Sequence, residues 1–156
     1  MRMSRIESRL AELGLVLPEP TVPVANYIPF TISGRTLYVS GQIPRKGGAI
    51  WPVGRCGENV TVEEAQAAAR LCFLSILGHA KIAAGGDLDR IARVLRITGY
   101  VASAPGFGDQ PQVINGASDC AVELFGDAGR HARSAIGVAM LPGGAAVEVE
   151  AILELA

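Results

Sequence analysis

Two residues in the last quarter of the chain have side chains suited to chemistry. Arg133 stands in the run His131-Ala132-Arg133-Ser134, and Glu148 leads the run Glu148-Val149-Glu150-Ala151-Ile152-Leu153-Glu154. A guanidinium holds a carboxylate through two parallel N–H donors and does not lose its charge. A carboxylate accepts a proton from water and orients it. Together the two could bind a small carboxylate and deliver water to it. Each also has a plainer reading: Arg133 as an interfacial ion pair with Glu150 or Glu154 of a neighbour, Glu148 as one more charge on a solvated face. His79 and His131 are too isolated to form a metal pair, and Cys56, Cys72 and Cys120 lack metal-ligand spacing. No metal site and no cofactor are expected. The cysteines read as reduced thiols, with only Cys56, in a Gly-rich loop, expected near the surface.

The elements that must position these residues follow from periodicity. Residues 131–141 and 147–155 flank Pro142-Gly143-Gly144 and read as a β-hairpin. Ser134, Ile136, Val138 and Met140 share one parity, and Arg133, Ala135, Gly137 and Ala139 share the other. Val147, Val149, Ala151, Leu153 and Leu155 alternate with Glu148, Glu150, Ile152 and Glu154. Side chains alternate across a strand, so each strand should bury one face. The charged parities of both strands are expected on one common face. A hairpin centred near Gly143 separates Arg133 from Glu148 by about six residues, or roughly 20 Å. The two then cannot meet within one chain but could meet across a subunit boundary.

Upstream, Ser4-Arg5-Ile6-Glu7 is a capping box that opens a short amphipathic helix with Ile6, Leu10 and Leu13 at helical spacing. Pro18, Pro20 and Pro23 make residues 15–23 an extended connector. Residues 26–32 and 36–40 form a hairpin around Ser33-Gly34-Arg35. Residues 44–60 form a long Gly- and Pro-containing loop with Trp51 as an anchor. Thr61-Val62-Glu63-Glu64 caps a core helix running to about Ala84. Residues 91–102 form a strand, with Leu95, Ile97 and Val101 on one parity. A helix runs from Pro111 to about Phe125. The core order is ββαβαββ, an α+β layer of two helices on one face of a mixed sheet, preceded by the short N-terminal helix.

At 156 residues and 49% hydrophobic content the chain can bury one substantial core. A net charge of −1 with no basic block gives no nucleic-acid surface. No apolar run is long enough to span a membrane, and Met1-Arg2-Met3-Ser4-Arg5 is too charged for a signal peptide. A cytoplasmic protein is expected. The polar and small-residue sheet face suits an interface between copies in a closed ring.

Residues 132–152 fit the pattern A-R-S-x-x-x-V-x-x-L-P-x-x-x-x-V-E-V-E-A-I, and Leu37-Tyr38-Val39-Ser40-Gly41-Gln42-Ile43-Pro44 supplies a second landmark. Together they resemble the Rid (YjgF) family of imine and enamine deaminases, older labels for which are L-PSP endoribonuclease and translation inhibitor. The resemblance covers about residues 24–156, which divides the chain into an N-terminal helix and connector, 1–23, and a single domain, 24–156. It implies a chorismate-mutase-like fold and a homotrimer whose sheets line a central barrel. It maps the substrate-carboxylate arginine onto Arg133 and the water-holding acid onto Glu148. It places Tyr27 as an aromatic lid, Ser40 and Gly41 at a strand end facing the ligand, and Asn115 on a helix near the pocket.

This chain departs from the family at Ala135, where many Rid proteins have cysteine, and at His131, where proline is usual. The run Arg130-His131-Ala132-Arg133 is expected to place extra positive charge at the pocket. These departures mark a divergent branch. The expected function is hydrolysis of imines or enamines such as 2-aminoacrylate to 2-keto acids and ammonia. The alternative is a non-catalytic binding module for small carboxylates, a reading that Ala135 favours. RNA cleavage ranks last, because no basic stripe with interleaved aromatics is present.

Overall fold

Capping residues and apolar spacing set the helices of the computed structural model, which describes residues 2–20 and 25–156. Helix α1, Arg5–Glu12, starts at a reciprocal capping box: the Ser4 hydroxyl accepts from the Glu7 N–H and the Glu7 carboxylate accepts from the Ser4 N–H. The Asp89 carboxylate accepts from the Arg5 and Ile6 N–H groups at 2.8 and 3.1 Å, so the first turn of α1 is also tied to a distant turn. Ile6 and Leu10 are buried in the main core. The end of the connector at Pro23 and the boundary expected between residues 23 and 24 lie outside the described residues.

Strands β1, Phe30–Ser33, and β2, Thr36–Gln42, form the expected hairpin around Gly34 and Arg35. Next come β3, Arg45–Lys46, and β4, Ala49–Ile50, a small separate hairpin inside what the sequence suggests is plain loop. Trp51 follows, with the Lys46 ammonium 4.5 Å from its ring centroid. Cys56, expected near the surface, is fully buried beneath this segment: its N–H donates to the Ala102 carbonyl and its own carbonyl accepts from Ala104. Helix α2, Val62–Ala83, opens on the Thr61–Glu64 capping box. Strand β5 is Ile91–Ala102, α3 is Gln110–Phe125, β6 is Ala132–Val138 and β7 is Val147–Leu155.

The main sheet has the order β1-β2-β7-β5-β6, with α2 and α3 packed on one face. This is the α+β architecture expected, with one correction. β6 and β7 do not form a hairpin. β6 pairs in parallel with β5, and β7 lies between β2 and β5, antiparallel to both. The reason is burial. Val147, Val149, Ala151 and Leu153 are all buried and require a central strand, whereas the Arg, Ser, Ala and Gly of β6 suit an edge. The α3 crossover between β5 and β6 then makes those two strands parallel.

The change of strand order also changes the faces. Arg133 pairs with Ile97 and Ala135 with Gly99, so the odd-numbered residues of β6 face α3. Glu148 pairs with Tyr100 and Glu150 with Thr98, on the opposite, open face. The common charged face expected from the hairpin does not exist. The apolar parity of β6, expected to be buried, lies on the open side, with Ile136 45% exposed. A bulge between Val94 and Arg96 moves Leu95 off the buried parity, and Val94 takes its place in the core.

Candidate active site

Arg133 is positioned by α3. Its Nη1 donates to the Asn115 side-chain oxygen at 2.8 Å and to the Ser118 hydroxyl at 3.2 Å. Both hydrogens of Nη1 are therefore committed, and no partner among the described residues takes Nε or Nη2. Those two nitrogens form the side edge of the guanidinium, the edge that grips a carboxylate in parallel. Ala135 follows two residues on, on the same face, partly buried against the core. Asn115 and Ser118 are one helical turn apart on α3, so both reach the same partner. Ser118 has no part in the sequence reading, although its i+3 spacing from Asn115 was the available signal.

His131 is held beside α3 by both ring nitrogens. Its Nδ1 lies 2.6 Å from the Gly129 carbonyl and its Nε2 lies 2.9 Å from the Ser118 hydroxyl. A carbonyl cannot donate, so Nδ1 carries a hydrogen, and Nε2 shares a hydrogen bond with the Ser118 hydroxyl. Arg130 is engaged elsewhere, in an exposed pair with Asp127 at 3.5 Å.

Glu148 is positioned from the other side of the sheet. A β-carbon at Gly41 would lie 3.0 Å from the Glu148 Cδ and Oε1, so the bare glycine backbone is what leaves room for the carboxylate. Half-burial raises the Glu148 carboxyl above the ordinary value, and the neighbouring Glu150 raises it further. Glu150 itself accepts the Tyr100 hydroxyl at 2.6 Å, and this bond chiefly pushes the tyrosine up to about 12. Tyr100 therefore stays protonated and occupies Glu150, while Glu148 accepts no hydrogen bond from any described residue.

Tyr27 and Gly41 line one depression of about 210 Å³ beside Leu71 and Leu74 of α2. Ser40 lies at the bulge of β2 and lines a second depression, of about 300 Å³, with Tyr38, Arg96 and Glu150 on the open face. The Ser40 hydroxyl donates to the Ile28 carbonyl at 2.8 Å, which fixes the segment ahead of β1.

The expected site residues thus fall into two groups. Arg133, Asn115 and Ala135 sit at the β6 edge on the helix face. Tyr27, Ser40, Gly41 and Glu148 gather toward the β2 side. Glu148 is two strands and three ladder positions from Arg133, or roughly 14 Å, rather than the 20 Å of the hairpin register. The side chains also leave opposite faces of the sheet. Among the described residues no group of three or more potential metal ligands occurs, and no helix is long and apolar enough to cross a membrane.

A family model described as "YjgF/chorismate mutase-like, putative endoribonuclease" matches residues 7–155, beginning inside α1. Protein TCP17 of Trypanosoma cruzi is 47% identical over 152 residues, covering 97% of this chain and 94% of TCP17. The crystal structure of Atu1372, of unknown function, from Agrobacterium tumefaciens superposes with a TM-score of 0.91 at 51% identity, over 97% of this chain and 93% of that one. RidA from an Antarctic Psychrobacter species superposes with a TM-score of 0.58 at 25% identity, over 88% and 94% of the two chains.

Proposed function

The chain belongs to the YjgF/chorismate mutase-like family, and from that premise we propose that it hydrolyses imines or enamines of amino acids to 2-keto acids and ammonia. The reaction takes place at clefts between the subunits of a homotrimer. The observation that carries this reading is the free Nε–Nη2 edge of Arg133, held out from a guanidinium whose Nη1 is anchored on α3. This edge matches a substrate carboxylate. The water-activating group must then come from elsewhere, because Glu148 of the same chain leaves the other face of the sheet. The exposed apolar residues Ile28, Ile32, Tyr38 and Ile136 offer a surface for a neighbouring copy to cover.

In this reading Arg133 binds the carboxylate, and Glu148 of a neighbouring subunit orients a water toward the imine carbon and takes its proton. The resulting carbinolamine releases ammonia once its nitrogen is protonated, leaving the ketone. No cofactor is required, since the work is positioning and proton transfer. Tyr27 closes over the ligand, Ser40 and Gly41 shape the strand end, and Ala135 leaves space where many relatives carry a thiol. We assign the working unit to residues 24–156, with residues 1–23 an added helix and connector. A cytoplasmic setting suits the three buried free cysteines.

The second reading, a binding module without turnover, is favoured by Ala135. One assay separates the two. Purified protein is added to a lyase reaction that generates 2-aminoacrylate, and pyruvate release is followed. Acceleration proportional to protein concentration is expected. Release at the uncatalysed rate, with pyruvate still bound in calorimetry, would select the binding module.

A further inference from the structure

We infer that His131 and Ser118 form a positioning relay that sets the Arg133 guanidinium. The inference rests on the reading of Arg133 as the carboxylate anchor.

The relay begins in the backbone. Gly129 ends the short 3₁₀ turn Gly126–Gly129 and lies directly against α3: a β-carbon there would sit 2.2 Å from the Ala121 carbonyl oxygen. That close approach brings His131 alongside α3. The Gly129 carbonyl takes the Nδ1 hydrogen at 2.6 Å, which fixes the ring plane. Nε2 then lies 2.9 Å from the Ser118 hydroxyl, within hydrogen-bond distance.

A serine inside a helix ordinarily turns its hydroxyl back onto the carbonyl four residues earlier, here that of Ile114. Here the contact with His131 holds the hydroxyl instead, with its oxygen placed to accept from Arg133 Nη1 at 3.2 Å. Asn115 takes the other Nη1 hydrogen at 2.8 Å. The guanidinium is planar by resonance, so two acceptors on one nitrogen fix its swing about Cδ–Nε and the Nε–Nη2 edge keeps one orientation. His131 touches neither substrate nor reacting atoms. Its effect is on how well the fork is preorganised for a carboxylate.

A coupling experiment tests this. Pyruvate affinity is measured by calorimetry for wild type, Ser118→Ala, Ser118→Thr, His131→Phe and the Ser118→Ala/His131→Phe double variant, with Arg133→Ala as reference. Ser118→Ala should weaken pyruvate about tenfold, the scale of one hydrogen bond to a charged group. Ser118→Thr should restore near wild-type affinity, and His131→Phe should weaken binding about threefold. Because His131 acts through Ser118, the His131→Phe effect should vanish in the Ser118→Ala background. The kcat on saturating imine should stay near wild type in the Ser118 and His131 variants, with the change confined to KM. A His131→Phe effect of equal size in both backgrounds, or a loss in kcat alone, overturns the relay. Should Ser118→Ala fail to fold, Ser118→Thr combined with His131→Phe completes the cycle on its own: His131→Phe must still weaken pyruvate there, and wild-type affinity overturns the relay. Loss of binding in Arg133→Ala with wild-type affinity in both single variants sinks the relay and spares the anchor. Wild-type affinity in Arg133→Ala removes both.

Discussion

Arg133 and Glu148 differ in what holds them, and that difference shapes the predictions for each. Arg133 is held by hydrogen bonds at one nitrogen. Lysine keeps the charge but loses the fork, so Arg133→Lys should weaken keto-acid binding by about 1.5–3 kcal/mol in calorimetry. Glu148 is set by burial and by a neighbouring acid, both of which raise its carboxyl above the ordinary value. A base works only when ionised. Activity should therefore be present above this raised value and fall away as the pH drops through it, placing the acid limb of kcat/KM higher than an ordinary carboxylate would. Glu148→Gln should abolish that limb, slow hydrolysis by roughly 10²–10⁴-fold and leave pyruvate binding intact. Gly41→Ala probes the same carboxylate from outside. The added methyl would meet the far end of a flexible side chain, and the Gly41 backbone is not in the left-handed region. Turnover should drop at least tenfold with a melting temperature within a few degrees of wild type, since the carboxylate gives way and the fold does not.

At the scale of elements, the site depends on how closely α3 approaches its neighbours. A β-carbon at Gly116 would lie 2.0 Å from the Gln66 carbonyl oxygen of α2, and one at Gly99 would lie 2.3 Å from the Ile114 side chain. The two helices thus touch backbone to backbone at Gly116, and the same helix carries Asn115 and Ser118 on its adjacent positions. Backbone cannot yield as a side-chain tip does. Gly116→Ala should cost about 1–3 kcal/mol or more, measured by chemical denaturation, and should weaken pyruvate binding in the same protein by shifting Asn115 off Arg133. Stability loss with unchanged pyruvate affinity would show that the α2–α3 contact does not set the site.

At the scale of the whole molecule, the two half-sites lie toward opposite edges and on opposite faces of one sheet. The proposed ring of copies in head-to-tail contact would bring the β6 edge of one chain to the open face of the next and close without leaving an edge over. Light scattering at micromolar concentration should report three times the 16.2 kDa chain mass. Arg133→Ala and Glu148→Gln homotrimers should each be nearly inactive. Mixing them should restore part of the activity, because some clefts then pair an intact arginine with an intact glutamate. Subunit exchange confirmed by mass without any recovery would put both residues in one chain's site, against the sheet order seen here.

Local rules sufficed for much of this. Capping boxes at Ser4 and Thr61, the proline start of α3 and the alternation of β5 and β7 act within a few residues, so their elements are legible in the chain. The identities of Arg133, Glu148 and Asn115 as site candidates were legible too, through two motifs that resemble a family. Strand order was not legible. Pro142-Gly143-Gly144 can turn the chain between adjacent strands or over an intervening one, and only the burial of β7 on the helices chooses between them. Because a sheet has two faces, inserting β5 between β6 and β7 decided which face each charged residue leaves by. It set Arg133 against α3 and Glu148 on the open side. Ser118 and His131 became partners for the same reason: 13 residues apart, they meet only because Gly129 has no side chain to keep its turn away from α3.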